Sequence, residues 1–138
     1  MPTRPQADPP TNARTAQFDM IQPMLEAAHK ELSELSKKKQ DGVLNELKVR
    51  YINRLLTGAK EALGDDPSLA FVELLDEETL PQNSDAVLVV GQWLAAMTQF
   101  HDRHHGYDRD MQARWFTVEH PHPDADWDDE DEDEDDGA

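Results

Sequence analysis

Between residues 18 and 35 the apolar side chains fall at strict intervals of three and four: Phe18, Ile21, Leu25, Ala28, Leu32 and Leu35. That interval places them on one stripe of an α-helix and is incompatible with a strand, whose faces alternate every second residue. The chain must therefore build its core by burying helix faces. The spacing predicts a helix over 19–36, with Asp19 as its N-cap and Pro23 accommodated in the first turn. The seam has the width of a coiled-coil contact, which makes it a candidate surface for homo-oligomerisation as well as for intramolecular packing.

The same periodicity recurs downstream. After the breaker Lys37-Lys38-Lys39-Gln40-Asp41-Gly42, a second helix is expected from Val43 to Leu63, stopped by Gly64. Its apolar positions, Leu44, Leu47, Tyr51, Ile52, Leu55, Leu56, Ala59 and Leu63, form a broad face suited to a packed core. Asp66-Pro67 supplies an N-cap and first-turn pair for a short helix over 68–75, with Leu69, Phe71, Val72 and Leu75 inward. A fourth helix over 85–105 is apolar around most of its circumference, from Val87 through Trp93 and Leu94 to Phe100, and is expected at the centre of the bundle. Residues 107–116 are expected as one more short helix or a strap, with Met111, Trp115 and Phe116 folding back. The fold class read from the sequence is all-α, a four- to five-helix bundle over 16–118. A Pro-rich arm over 1–15 and an acidic tail over 119–138 are both expected to be disordered.

Charge narrows the function classes. The formal net charge is −17, and eleven of the thirty acidic residues lie between Asp124 and Asp136 with no base among them. Residues 1–123 carry nineteen acids against thirteen bases, a mild −6. Phosphate backbones and anionic membranes are repelled by such a chain, so neither nucleic acid nor membrane is expected as a direct partner. A protein with a basic surface is the electrostatic complement. The absence of cysteine excludes disulfides, thiolate metal sites and cysteine nucleophiles. The N-terminal segment has no apolar core of a signal peptide, which points to a cytoplasmic protein.

One motif invites an enzymatic reading. His101-Asp102-Arg103-His104-His105 sets His101 and His105 one helical turn apart, the spacing with which a helix face offers two imidazoles to zinc. An acid directly after the first histidine makes the stretch a relative of the H-E-x-x-H metalloprotease motif. Aspartate, however, reaches less far than glutamate toward a metal-bound water. Third ligands are sought only in Glu119, His120 and His122, within a proline-broken segment. On the helical wheel, His101, His104 and His105 continue the apolar arc, which fits rings that cover the edge of a core. Glu26-Ala27-Ala28-His29 has the E-x-x-H spacing of di-iron bundles but no second copy. The acids at 65, 66, 73 and 76–78 lack the spacing and glycine of a calcium loop. No cofactor is expected.

The expected function is thus a non-enzymatic helical interaction module, a small subunit or regulator of a larger assembly. A metal-binding protein or metal-dependent hydrolase using His101 and His105 is the alternative, and a polyanionic mimic or chaperone for basic partners is a second. Two features nominate partner-binding residues. Lys48 falls within an apolar arc, where an ammonium needs a carboxylate, water, or a groove facing a partner. The tail residues Trp127, Asp128, Asp129, Glu130, Asp131, Glu132 and Asp133 combine one adhesive ring with a dense polyanion.

Overall fold

A computed structural model describes residues 8–123. Among these, three α-helices, a 3₁₀ helix and a two-stranded hairpin make up the fold: α1 over Asn12–Lys38, α2 over Glu46–Leu63, the 3₁₀ helix over Pro67–Phe71, α3 over Asn83–His104, β1 over His105–Tyr107 and β2 over Ala113–Trp115. The chain is helical as expected, but three helices replace the four or five read from the sequence. No helix of the described residues is long and apolar enough to cross a membrane.

The first helix begins seven residues before Asp19. Thr11 is its N-cap, and its hydroxyl oxygen accepts from the Arg14 amide at 3.2 Å. Pro9 and Pro10 stop the helix from extending further back. The expected boundary at residue 15 therefore falls inside α1, and Pro23 sits in the helix interior rather than its first turn. Pro23 is exposed, where water can satisfy the carbonyl that loses its amide partner. The expected tail boundary shifts as well. Glu119 accepts from the Asn12 amide at 2.9 Å, the Val118 amide donates to Pro10, and the Thr117 hydroxyl donates to Asn12. Residues 117–119 thus strap the start of α1.

The seam from Phe18 to Leu35 is consumed within the chain. Phe18, Ile21, Leu25 and Leu32 are buried, with Ala28 and Leu35 packed against the same core. Its last two turns, at Ala28, Leu32 and Leu35, also line an open groove between α1 and α2. It is α1, not α3, that lies at the centre: α1 packs along both α2 and α3, which touch each other sparingly. The pairings run antiparallel. Gln17 of α1 donates to Gly58 O of α2, and Phe18 of α1 stacks on Phe100 of α3. At Gly58 a β-carbon would come within 2.9 Å of Ile21, so the missing side chain lets α1 and α2 approach closely.

Two faces are narrower than their sequences imply. On α2 the buried set is Val49, Ile52, Asn53, Leu55, Leu56, Ala59, Ala62 and Leu63, while Leu47 is 70% exposed and Tyr51 about half so. On α3 Leu94 is only half-buried, and Leu88 is 62% exposed. Without a fourth helix, neither face has a further neighbour to cover it. The segment after Gly64 is a 3₁₀ helix of five residues instead of an α-helix. Its threefold turn and the extended backbone that follows point Leu75 inward and leave Phe71 85% exposed.

The strap after α3 is a hairpin. His105 pairs with Trp115, Gly106 with Arg114 and Tyr107 with Ala113. Asp108 organises the turn: its Oδ1 accepts from the Asp110 and Gln112 amides at 2.9 Å, and its Oδ2 accepts from Arg114 Nε at 3.2 Å. Met111 is exposed there rather than folded back.

Candidate functional site

The hairpin register decides what the histidine motif does. Placing Trp115 opposite His105 brings the indole down on the last turn of α3. The His101 and His105 rings stack with centroids 4.3 Å apart, and Trp115 stands edge-on to both at 5.2 and 5.3 Å. Its Nε1 donates to the Asp19 carboxylate, 3.2 Å from each oxygen, and Phe18 closes the cluster from below. Both imidazoles thus lend their faces to an aromatic cap over the core. The expected third ligands are elsewhere: Glu119 is tied to Asn12, and His122 packs on Phe116. Among the described residues no three His, Asp or Glu side chains are grouped to hold a metal ion. The E-x-x-H pair is equally dispersed, with Glu26 in solvent and His29 against Gly91 of α3.

The more consequential polar group is one the sequence marks only as a helix cap. The Asp66 side chain is wholly buried and accepts from Arg103 Nε at 3.1 Å and Nη2 at 2.6 Å. It also accepts from the Ser68 amide and hydroxyl, so one carboxylate caps the 3₁₀ helix and fastens it to α3. Beside it, Arg14 of α1 donates to the Ala62 and Leu63 carbonyls at 2.9 and 2.6 Å, completing the C-terminus of α2. Gly64, at φ 63°, leaves the space that this guanidinium fills. His104 lies between the two arginines and the carboxylate, at a cavity of about 70 Å³ that Asp8 and Asp65 also line. His104 Nε2 is buried with no hydrogen-bond partner among the described residues.

Burial pulls the His104 pKa below its ordinary 6.5, with Arg103 and Arg14 adding to the effect and Asp66 opposing it. His105 shifts the same way, through burial and the neighbouring His101. Because the unfolded chain binds these protons more tightly than the fold, stability should be full above about pH 6.5 and decline as pH falls below it. Urea melts at pH 7.5 and 5.5 should show the native chain weakening in acid. A His104→Leu chain should lose much of that slope and be no less stable at pH 7.5, since it also removes an unsatisfied buried nitrogen.

Two of the surface grooves are walled mainly by apolar side chains. Between α1 and α2 a groove of about 250 Å³ is lined by Met24, Leu35, Tyr51 and, among charged groups, Lys48 and Glu31. Lys48 is half-buried on its wall rather than inside the core. Between the 3₁₀ helix and α3 runs a second groove of about 350 Å³, walled by Pro67, Phe71 and Val72 on one side and by Gln92, Ala95 and Gln99 on the other. The tail residues Trp127 to Asp133 lie outside the described residues. Sequence reasoning also missed Asn53, whose side chain donates to Leu75 O and Glu77 and accepts from the Leu75 amide, pinning the 72–77 segment to α2. An asparagine at a buried helical position was the only available signal. No known protein family, curated protein or solved structure matches the chain.

Proposed function

We propose that this protein is a non-enzymatic helical interaction module that docks a protein partner with a basic surface, as a small subunit or regulator of a larger assembly. The observation that carries this reading is the placement of exposed large apolar side chains. Phe71, Tyr51 and Met24 sit at the walls of two grooves on a core that is already filled without them. Apolar groove walls held open beside charged residues fit recognition of another macromolecule. The strongly negative chain, with its acids concentrated after residue 123, selects the sign of that partner.

The partner that co-purifies with the native chain should therefore be a basic protein. Deleting Asp124 to Ala138 should leave the melting temperature of the fold unchanged. It should slow association with that partner roughly tenfold, with little change in dissociation, because long-range charge acts on encounter. Raising salt from about 0.05 to 0.5 M should remove most of the difference, as the screening length falls to a few ångströms. A partner bound equally well by both chains at every salt concentration would exclude the tail from recognition, and an acidic partner would exclude the proposal.

A further inference from the structure

Glu31 and Lys48 stand on opposite walls of the α1–α2 groove, one an exposed carboxylate and the other a half-buried ammonium. Neither side chain forms an ion pair with any described residue. They also lie at one level of the groove. Ile21 meets Gly58 across the helix pair, and antiparallel helices of equal rise step in opposite directions from that contact. Ten residues on along α1 is Glu31, and ten back along α2 is Lys48. By the same stepping, Ala28 stands opposite Tyr51. We infer that this groove is the interface of a homodimer, a second copy lying face to face on the first with the two-fold axis along the groove. Rotation about that axis exchanges the walls and keeps the level. Glu31 of each copy then meets Lys48 of the other, and Tyr51 of each seats on Ala27 and Ala28 of the other.

Charge and shape both select a second copy as the occupant. One acid and one base on facing walls give the groove no net sign with which to choose a charged partner, yet by symmetry they complete each other. The ammonium within the apolar arc of α2 thereby gains the carboxylate it lacks in its own chain. The surrounding charge agrees. The helix α1 carries four acids and four bases, and α2 four bases against two acids, whereas the segment 64–80 carries six acids and no base. No residue of 64–80 lines this groove, so the copies meet where the body has no net negative charge. On α1, Met20, Met24, Ala27 and Glu31 follow at intervals of four, three and four, and on α2 Leu47, Tyr51 and Arg54 at four and three. Each helix thus offers one outer ridge, with exposed apolar side chains at Met20, Met24, Leu47 and Tyr51. Two copies make a four-helix bundle in which α1 of each lies on α2 of the other. The inference does not rest on the basic-partner reading, which a monomer or a dimer satisfies equally.

The test is sedimentation velocity of the full chain at about 0.15 M salt, in a concentration series reaching the high micromolar range. The native chain should sediment as a dimer. Glu31→Lys sets two ammonium groups against each other at both contacts, and Lys48→Glu two carboxylates. Each variant alone should therefore dimerise at least roughly tenfold more weakly. Mixed one to one, the two variants should recover most of that loss, because their heterodimer has an acid against a base at both contacts. The double variant Glu31→Lys/Lys48→Glu, whose net charge is that of the native chain, should recover it too. Ala27→Gln, neutral and helix-forming, should weaken the dimer by filling the seat of Tyr51, while Phe71→Ala at the other groove should leave it unchanged. Glu31, Ala27 and Phe71 are exposed and Lys48 is half-buried, and unchanged circular dichroism would show that the variants are folded. A native chain that stays monomeric throughout overturns the inference; if deleting Asp124 to Ala138 then produced the dimer, the groove would belong to that tail. A dimer that survives both charge variants, or dissociates with Phe71→Ala, lies at another face and overturns it as well. If neither the mixture nor the double variant recovers, the two-fold pairing is wrong and the assignment falls with it.

Discussion

Replacing Phe18 by alanine should cost about 3–5 kcal/mol in urea denaturation and should strip the near-ultraviolet signal of Trp115 from the folded protein. The expectation follows from where the ring sits. Phe18 is fully buried on the central helix and touches two other elements at once. Its ring stacks on Phe100 of α3 at 5.6 Å, meets the edge of Trp115 of β2 at 5.0 Å, and lies 6.2 Å from His101. Truncation opens a cavity that α1 cannot close, because Gln17 and Arg14 hold its start on α2 through fixed backbone acceptors. Phe18→Leu keeps most of the volume and should cost well under half as much. A loss below about 1 kcal/mol for Phe18→Ala would show that the hairpin and α3 do not fold as one unit with α1.

What the sequence made legible, and what it hid, divides along physical lines. The alternation from Phe18 to Leu35 was legible because a helix stripe has one geometry, and the apolar residues buried on α1, Phe18, Ile21, Leu25 and Leu32, are all among those it names. Helix ends were less so: Thr11 caps α1, yet nothing local distinguishes it from Asp19 until residues 117–119 are seen to hold Asn12. Face width was overread. Leu47, Tyr51, Phe71 and Leu94 are apolar and correctly placed on helical wheels, but a wheel cannot show whether a neighbour covers that arc. The hairpin was invisible because three-residue strands carry no alternation, and its turn depends on the Asp108 side chain rather than on a glycine pair.

The candidate sites show the same division. Spacing nominated His101 and His105, and spacing alone could not foresee that the paired strand would lay Trp115 across them. Lys48 was flagged because an ammonium within an apolar arc is anomalous, and it does line a groove. Asp66 and Arg103 raised no such flag. Thirty-seven residues separate them, and each has an ordinary local reading, one as a helix cap and the other as a polar helix position. Long-range polar pairs leave no periodic trace in a single sequence.

That pair supports the second large effect. Arg103→Ala should destabilise the fold by about 3 kcal/mol at pH 8, at the low end of what breaking a buried ion pair costs. The low end applies because the Arg103 side chain is 38% exposed, so water can enter where the guanidinium was. Asp66 is the vulnerable member: its side chain has no exposure, and without Arg103 it keeps only the Ser68 donors. Asp66→Asn should cost less, about 1–2 kcal/mol, since it removes the buried charge while Arg103 turns to solvent. His104 makes the penalty depend on pH. In the native chain Arg103 helps to keep that imidazole neutral and Asp66 works the other way. With Arg103 gone, one repulsion disappears and the attraction of an unpaired Asp66 is unopposed by its nearest partner, so the folded chain should hold a proton on His104 more tightly. Urea melts should then show a smaller loss for Arg103→Ala at pH 5.5 than at pH 8, the reverse of the acid weakening expected for the native chain. The double variant Arg103→Ala/His104→Leu should lose that rescue. Equal losses at both pH values would separate His104 from the pair and leave the acid sensitivity to His105.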